Sequence, residues 1–66
     1  MKIQHIEAVN MGNDQAEISQ EVMRLIQDME FKSLDDFYEI EGELITKACK
    51  NLGWHSVPQN GGLIAE

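Results

Sequence analysis

Two stretches of the chain repeat apolar residues at a helical period, and the two ends do not. Between residues 14 and 30, Ile18, Val22, Leu25, Ile26 and Met29 fall within an arc of about 100° on a helical wheel, with Glu17, Gln20, Glu21, Arg24 and Asp28 opposite. The spacing predicts a first helix with one face to bury. Asn13 or Asp14 is placed to cap it, Glu17 follows at capping-box distance, and Arg24 and Asp28, four residues apart, predict a weak bridge on the outside.

A second helix is predicted over residues 34–52, where Leu34, Phe37, Ile40, Leu44, Ile45, Ala48 and Leu52 form the apolar side. Ser33 and Asp36 have the spacing of a capping box, and Gly53 suits the left-handed residue that ends a helix. Acids lead and Lys47 and Lys50 trail, as the helix dipole favours. The connection between the helices, residues 30–33, is short enough to predict an antiparallel helical hairpin.

The ends read differently. Residues 1–12 hold a strand or loop, with Ile3 and Val9 on one parity and Ile6 and Ala8 on the other, a pattern expected of a strand covered on both faces. In residues 54–66, Asn60-Gly61 is a tight-turn pair between HSVPQ and GLIAE. It predicts either a hairpin that joins the N-terminal strand, with Pro58 at an edge, or a frayed tail. The expected fold class is α+β and mostly helical: an antiparallel two-helix hairpin packed on a small sheet built from the chain termini, all in one domain, residues 1–66. The core expected from these patterns is Ile18, Val22, Leu25, Ile26, Met29, Leu34, Phe37, Ile40, Leu44, Ile45, Ala48 and Trp54.

Length and charge sharpen this picture. A chain of 66 residues buries only about 60% of the surface its unfolded form exposes, so stability is expected to be small and a homodimer would add to it. Cys49 is the sole cysteine, which excludes an internal disulfide and a multi-thiolate zinc site. The first fourteen residues contain no unbroken apolar run, so neither signal peptide nor membrane span is expected, and the location expected is cytoplasmic. The net charge of −7 is unevenly placed: between Asp28 and Glu43 lie seven acids and Lys32 alone, a local balance of −6. Such a surface repels phosphate backbones and anionic lipids and attracts basic protein surfaces.

The chemistry follows from where the acids sit. On a continuous second helix, Asp35, Asp36, Glu39 and Glu43 share an arc of about 100°, a ridge that basic side chains of a partner could engage together. An ordinary solvated face produces the same pattern, since acids near a helix N-terminus suit the dipole and solubility alone favours them. Glu41 falls inside the apolar arc, where an unpaired carboxylate is costly. Three readings stay open there: a helix broken at Gly42, an interface that pairs Glu41 with a cation, or a buried catalytic acid. Phe31 and Tyr38 lie at the margins of their faces and, with the four methionines, offer either an adaptable contact surface or the edge of a core. His5 and His55 have no ligand spacing, and Cys49 reads as a small buried side chain more readily than as a thiol nucleophile with a histidine base.

No enzyme, metal or cofactor is therefore expected. The partner expected is a basic protein surface, of the kind found on nucleic-acid-handling proteins, bound through Asp35, Asp36, Glu39, Glu43, Glu41 and Tyr38. Nucleic acid itself is not an expected ligand, because the second helix of a helix-turn-helix reader should be basic or neutral. Small size, strong acidity and the lack of catalytic groups are shared in kind by phage and plasmid inhibitors, including DNA mimics and anti-CRISPR proteins, and by some antitoxins, though no aligned motif links the chain to them. The alternative is a structural or assembly subunit that self-associates through its apolar helix face.

Overall fold

Residues near the two ends of the chain pair with each other. In the computed structural model, which describes residues 1–58 and 60–66, β1 (Ile6–Val9) runs antiparallel to β2 (Gly62–Ala65) in a two-stranded sheet. The register sets Ile6 against Ala65, Glu7 against Ile64, Ala8 against Leu63 and Val9 against Gly62. His5 and Glu66 extend the ladder by exchanging backbone hydrogen bonds of 3.2 and 2.9 Å. Ile6, Ala8, Leu63 and Ala65 are buried while Glu7 and Ile64 are exposed. The sheet is thus covered on one face, where a strand covered on both was expected.

The partner of β2 also differs from the tight hairpin: its ladder is with β1, and residues 55–58 form no strand. Gln59, the last residue of the expected HSVPQ strand, lies outside the described residues. This pairing is long-range, so the Asn60-Gly61 pair leads into β2 rather than reversing a local hairpin.

A single turn of 3₁₀ helix, Gly12–Asp14, leads into α1 (Gln15–Ile26). Asp14 occupies the capping position without a side-chain cap bond, and Met11 N–H instead donates to Gln15 Oε1 at 3.4 Å. Ile18, Val22 and Ile26, at intervals of four, form the buried stripe. The helix stops four residues short of Glu30, which leaves Met29 exposed. Glu21, placed by the wheel on the solvent side, is buried: its Oε1 accepts from Arg24 at 3.2 Å and its Oε2 from Asn51 Nδ2 at 3.2 Å, so Arg24 pairs with Glu21 instead of Asp28. One carboxylate thereby ties α1 to the end of the helix that crosses it.

The second helix is two. α2 (Leu34–Glu39) and α3 (Glu41–Asn51) meet at Ile40, whose φ of −103° and ψ of 9° leave the helical basin. Ile40 N–H closes on Phe37 C=O at 3.1 Å while its own C=O accepts from Leu44 N–H at 2.9 Å. The chain turns a corner here with both backbone groups of Ile40 bonded. The break falls two residues before the glycine suspected of it. Ser33 makes no side-chain cap bond to α2; Asp36 Oδ2 accepts from Lys32 N–H at 3.3 Å, one residue earlier than a capping box would place it.

α3 ends as expected. Gly53 has φ +80°, its N–H bonds Lys50 C=O at 3.1 Å and Trp54 N–H bonds Cys49 C=O at 3.0 Å, which together make a Schellman motif. Leu44, Ile45, Ala48 and Cys49 face inward from α3 and Phe37 from α2, with the Phe31 ring set edge-on to Phe37 at 5.8 Å. The core therefore joins the expected helical stripe to residues the helical wheel could not supply: Ile3, Ile6, Ala8, Met11, Phe31, Leu63 and Ala65. Leu25, Leu34, Ile40 and Trp54 pack at its margin.

Candidate functional site

The acids singled out by the sequence gather at the α2–α3 corner but do not form one ridge. Because the helix breaks at Ile40, Asp35, Asp36 and Glu39 belong to α2 while Glu41 and Glu43 belong to α3, so the common arc of a continuous helix does not exist. Glu39 and Glu43 still come together, lining a shallow surface depression with Gly42, Thr46 and Lys47. Asp35, Glu39 and Glu43 are exposed.

The other three candidates have internal partners. Asp36 is half-buried and accepts the Lys32 N–H described above. Glu41, also half-buried, accepts the Leu63 N–H through Oε1 at 3.2 Å. Tyr38 is 38% exposed, sits edge-on to the Phe37 ring at 5.4 Å, and its hydroxyl oxygen accepts the Ala65 N–H at 3.1 Å.

The last two bonds have one purpose. His5 and Glu66 form a hydrogen-bonded pair, so by the alternation of an antiparallel ladder Glu7–Ile64 and Val9–Gly62 do too, and the N–H groups of Leu63 and Ala65 point away from β1. Those are the two groups that Glu41 and Tyr38 receive. A carboxylate and a phenol from the corner close the outer edge of β2, which would otherwise present unpaired donors. The carboxylate out of place in the helical pattern is therefore bonded to a strand backbone N–H.

Cys49 is buried beneath α3, and desolvation pushes its thiol above the ordinary value. Both histidines are exposed. His55 lines a second shallow depression with Asp14, Gly53, Trp54, Ser56 and Pro58, and His5 lies beside the outer side of β1. The side-chain hydrogen bonds of the described residues join neither histidine to the thiol. Among the described residues no group of three or more His, Cys, Asp or Glu side chains is arranged to hold a metal ion, and no helix is long and apolar enough to cross a membrane.

Of the groups the structure draws into use, the wheel pattern concealed Glu21, which looks like a solvent residue. No family model matches the chain, and neither the curated proteins nor the solved structures contain a significant match to it.

Proposed function

We propose that the protein is a non-enzymatic binding protein that inhibits or regulates a basic, nucleic-acid-handling partner by docking Asp35, Glu39 and Glu43 on it. The observation that supports this reading is the division of labour at the corner. Asp36, Glu41 and Tyr38 hold the fold together, whereas Asp35, Glu39 and Glu43 face solvent. The ion pairs among the described residues are Met1–Glu30 and Arg24–Glu21, and neither involves the exposed acids of the corner. Their charge is left for a partner.

Exposed ion pairs contribute about 0.2–1 kcal/mol each, so three such carboxylates govern the rate and salt dependence of association more than its strength. The test compares Asp35→Asn/Glu39→Gln/Glu43→Gln with a control that removes the same charge elsewhere, Asp14→Asn/Glu17→Gln/Asp28→Asn. Binding of a labelled oligo-arginine peptide is followed by fluorescence anisotropy at low and high salt, with duplex DNA as competitor for the peptide. The corner variant should bind more weakly than the control and lose most of the salt dependence. Equal weakening by both would mean that net charge alone acts, and the proposal would fall.

The alternative of a subunit that self-associates through its apolar helix face draws less support. Phe37, Leu44, Ile45, Ala48 and Cys49, which make that face, are already buried within the chain.

A further inference from the structure

The sheet has one face without cover. Side chains alternate along a strand, so with Ile6, Ala8, Leu63 and Ala65 turned to the core, Glu7, Val9, Gly62 and Ile64 share the opposite face. Ile64 is 48% exposed, more than any other large apolar side chain among the described residues. Glu7 is exposed, and Val9 and Gly62 are half-buried.

The register sets Ile64 directly opposite Glu7 and diagonal to Val9, so the two apolar side chains adjoin across the strands. Between them Gly62 offers no side chain. A Cβ there would stand 3.5 Å from Glu41 Oε1 and 4.0 Å from Val9 Cγ2, so the glycine leaves a notch with Val9 on one side and the Glu41 carboxylate on the other. Glu41 commits Oε1 to the Leu63 N–H, and among the described residues no hydrogen bond or ion pair engages its Oε2 or either oxygen of Glu7. A lone exposed isoleucine is ordinary on a protein surface. Here it adjoins a second apolar side chain and a notch, between two carboxylates that no cation of the described residues pairs.

We infer that this face receives a short basic segment of a partner protein, with an apolar residue seated on Val9, Gly62 and Ile64 and a Lys or Arg on either side of it, one toward Glu7 and the other toward Glu41. Long cationic side chains suit the site because their methylene stems cover apolar surface while their heads reach the carboxylates. Glu7 stands on β1 and Glu41 beyond β2, a separation of about two interstrand spacings, roughly 10 Å. Basic residues two apart in an extended segment start about 7 Å apart, and their flexible side chains cover the remainder.

A second copy of the chain is the poorer occupant on two counts. It carries the same −7 and brings its own Glu7 and Glu41 to the contact. A face two strands wide and four residues long has a footprint of about 13 by 10 Å, a small fraction of the ~800 Å² per partner that a stable dimer buries. It fits one short segment. Asp35, Glu39 and Glu43 form no part of this face, so the inference does not rest on their role.

The test titrates the whole isotope-labelled chain at physiological salt with the end-blocked peptide Lys-Leu-Lys and follows amide chemical shifts. Signals of Val9, Gly62 and Ile64 should move and saturate, Glu-Leu-Glu should leave them still, and Lys-Ser-Lys should bind at least about threefold more weakly. Ile64→Thr keeps a β-branched side chain at an exposed position and should weaken binding about fivefold, the part of an isoleucine burial that half-exposure leaves to gain. Glu7→Gln should weaken it about two- to fivefold. Both changes are at exposed positions, so the fold survives them. The corner variant should keep the Val9, Gly62 and Ile64 shifts, whatever it does to the oligo-arginine peptide. Equal binding of Lys-Leu-Lys and Lys-Ser-Lys, unchanged binding by Ile64→Thr, or loss of these shifts in the corner variant would overturn the inference. Shifts of Val9, Gly62 and Ile64 that grow with protein concentration alone would overturn it too, and identify a second copy as the occupant.

Discussion

Replacing Glu41 should damage β2 from a distance. In Glu41→Ala the Leu63 N–H loses a charged acceptor held at 3.2 Å, and Leu63 as a whole is only 5% exposed. A hydrogen bond to a charged group contributes about 1.5–3 kcal/mol, and a donor left unpaired costs about 1–3 kcal/mol. Half-burial of Glu41 lets water recover part of this, so a loss of about 1.5 kcal/mol is expected. For a chain this size the whole folding free energy is about 3–10 kcal/mol, so the loss is a substantial fraction. Glu41→Gln keeps an acceptor oxygen and should lose roughly half as much, about 0.5–1 kcal/mol. Urea titration followed by Trp54 fluorescence measures both. Thermal melts should show a drop of about 6–12 °C for the alanine variant, from the entropy of unfolding of domains this small. Hydrogen exchange gives the local readout: Leu63 should lose protection more than Glu7 or Ile64. If Glu41→Ala is as stable as the parent, or if glutamine is as harmful as alanine, the strand-capping role is wrong.

Gly42 lies in the first turn of α3, and a Cβ added there would have nothing within 4 Å, so Gly42→Ala should stabilise by about 0.4–1 kcal/mol in the same titration. Gly61→Ala should do the reverse, since its Cβ would stand 2.4 Å from Met11 Cγ inside the core; a loss of about 1–3 kcal/mol is expected, read as a lower urea midpoint. The Cys49 thiol should react with a disulfide reagent only as fast as the protein opens, and burial makes it harder to ionise when folded than when unfolded. Stability from this group is therefore complete below the unfolded thiol value of about 8.5 and declines as pH rises through the raised folded value, an effect that Cys49→Ala should abolish in urea midpoints measured across that window.

The helical period alone determined that Ile18, Val22 and Ile26 form one buried stripe and that Phe37, Leu44, Ile45 and Ala48 turn inward, because burial of an apolar face depends on local spacing. The left-handed end at Gly53 was equally legible, being a local conformational preference of glycine. Composition also determined the acidity of residues 28–43. Tertiary structure decided what that acidity does. Whether a carboxylate faces solvent or a backbone donor depends on which distant segment arrives beside it. Glu41 looked misplaced until β2 came within 3.2 Å, Glu21 looked solvated until Asn51 did, and Tyr38 looked marginal until Ala65 did. The break at Ile40 belongs with them: Glu41, the residue after it, reaches the strand while both backbone groups of Ile40 stay bonded.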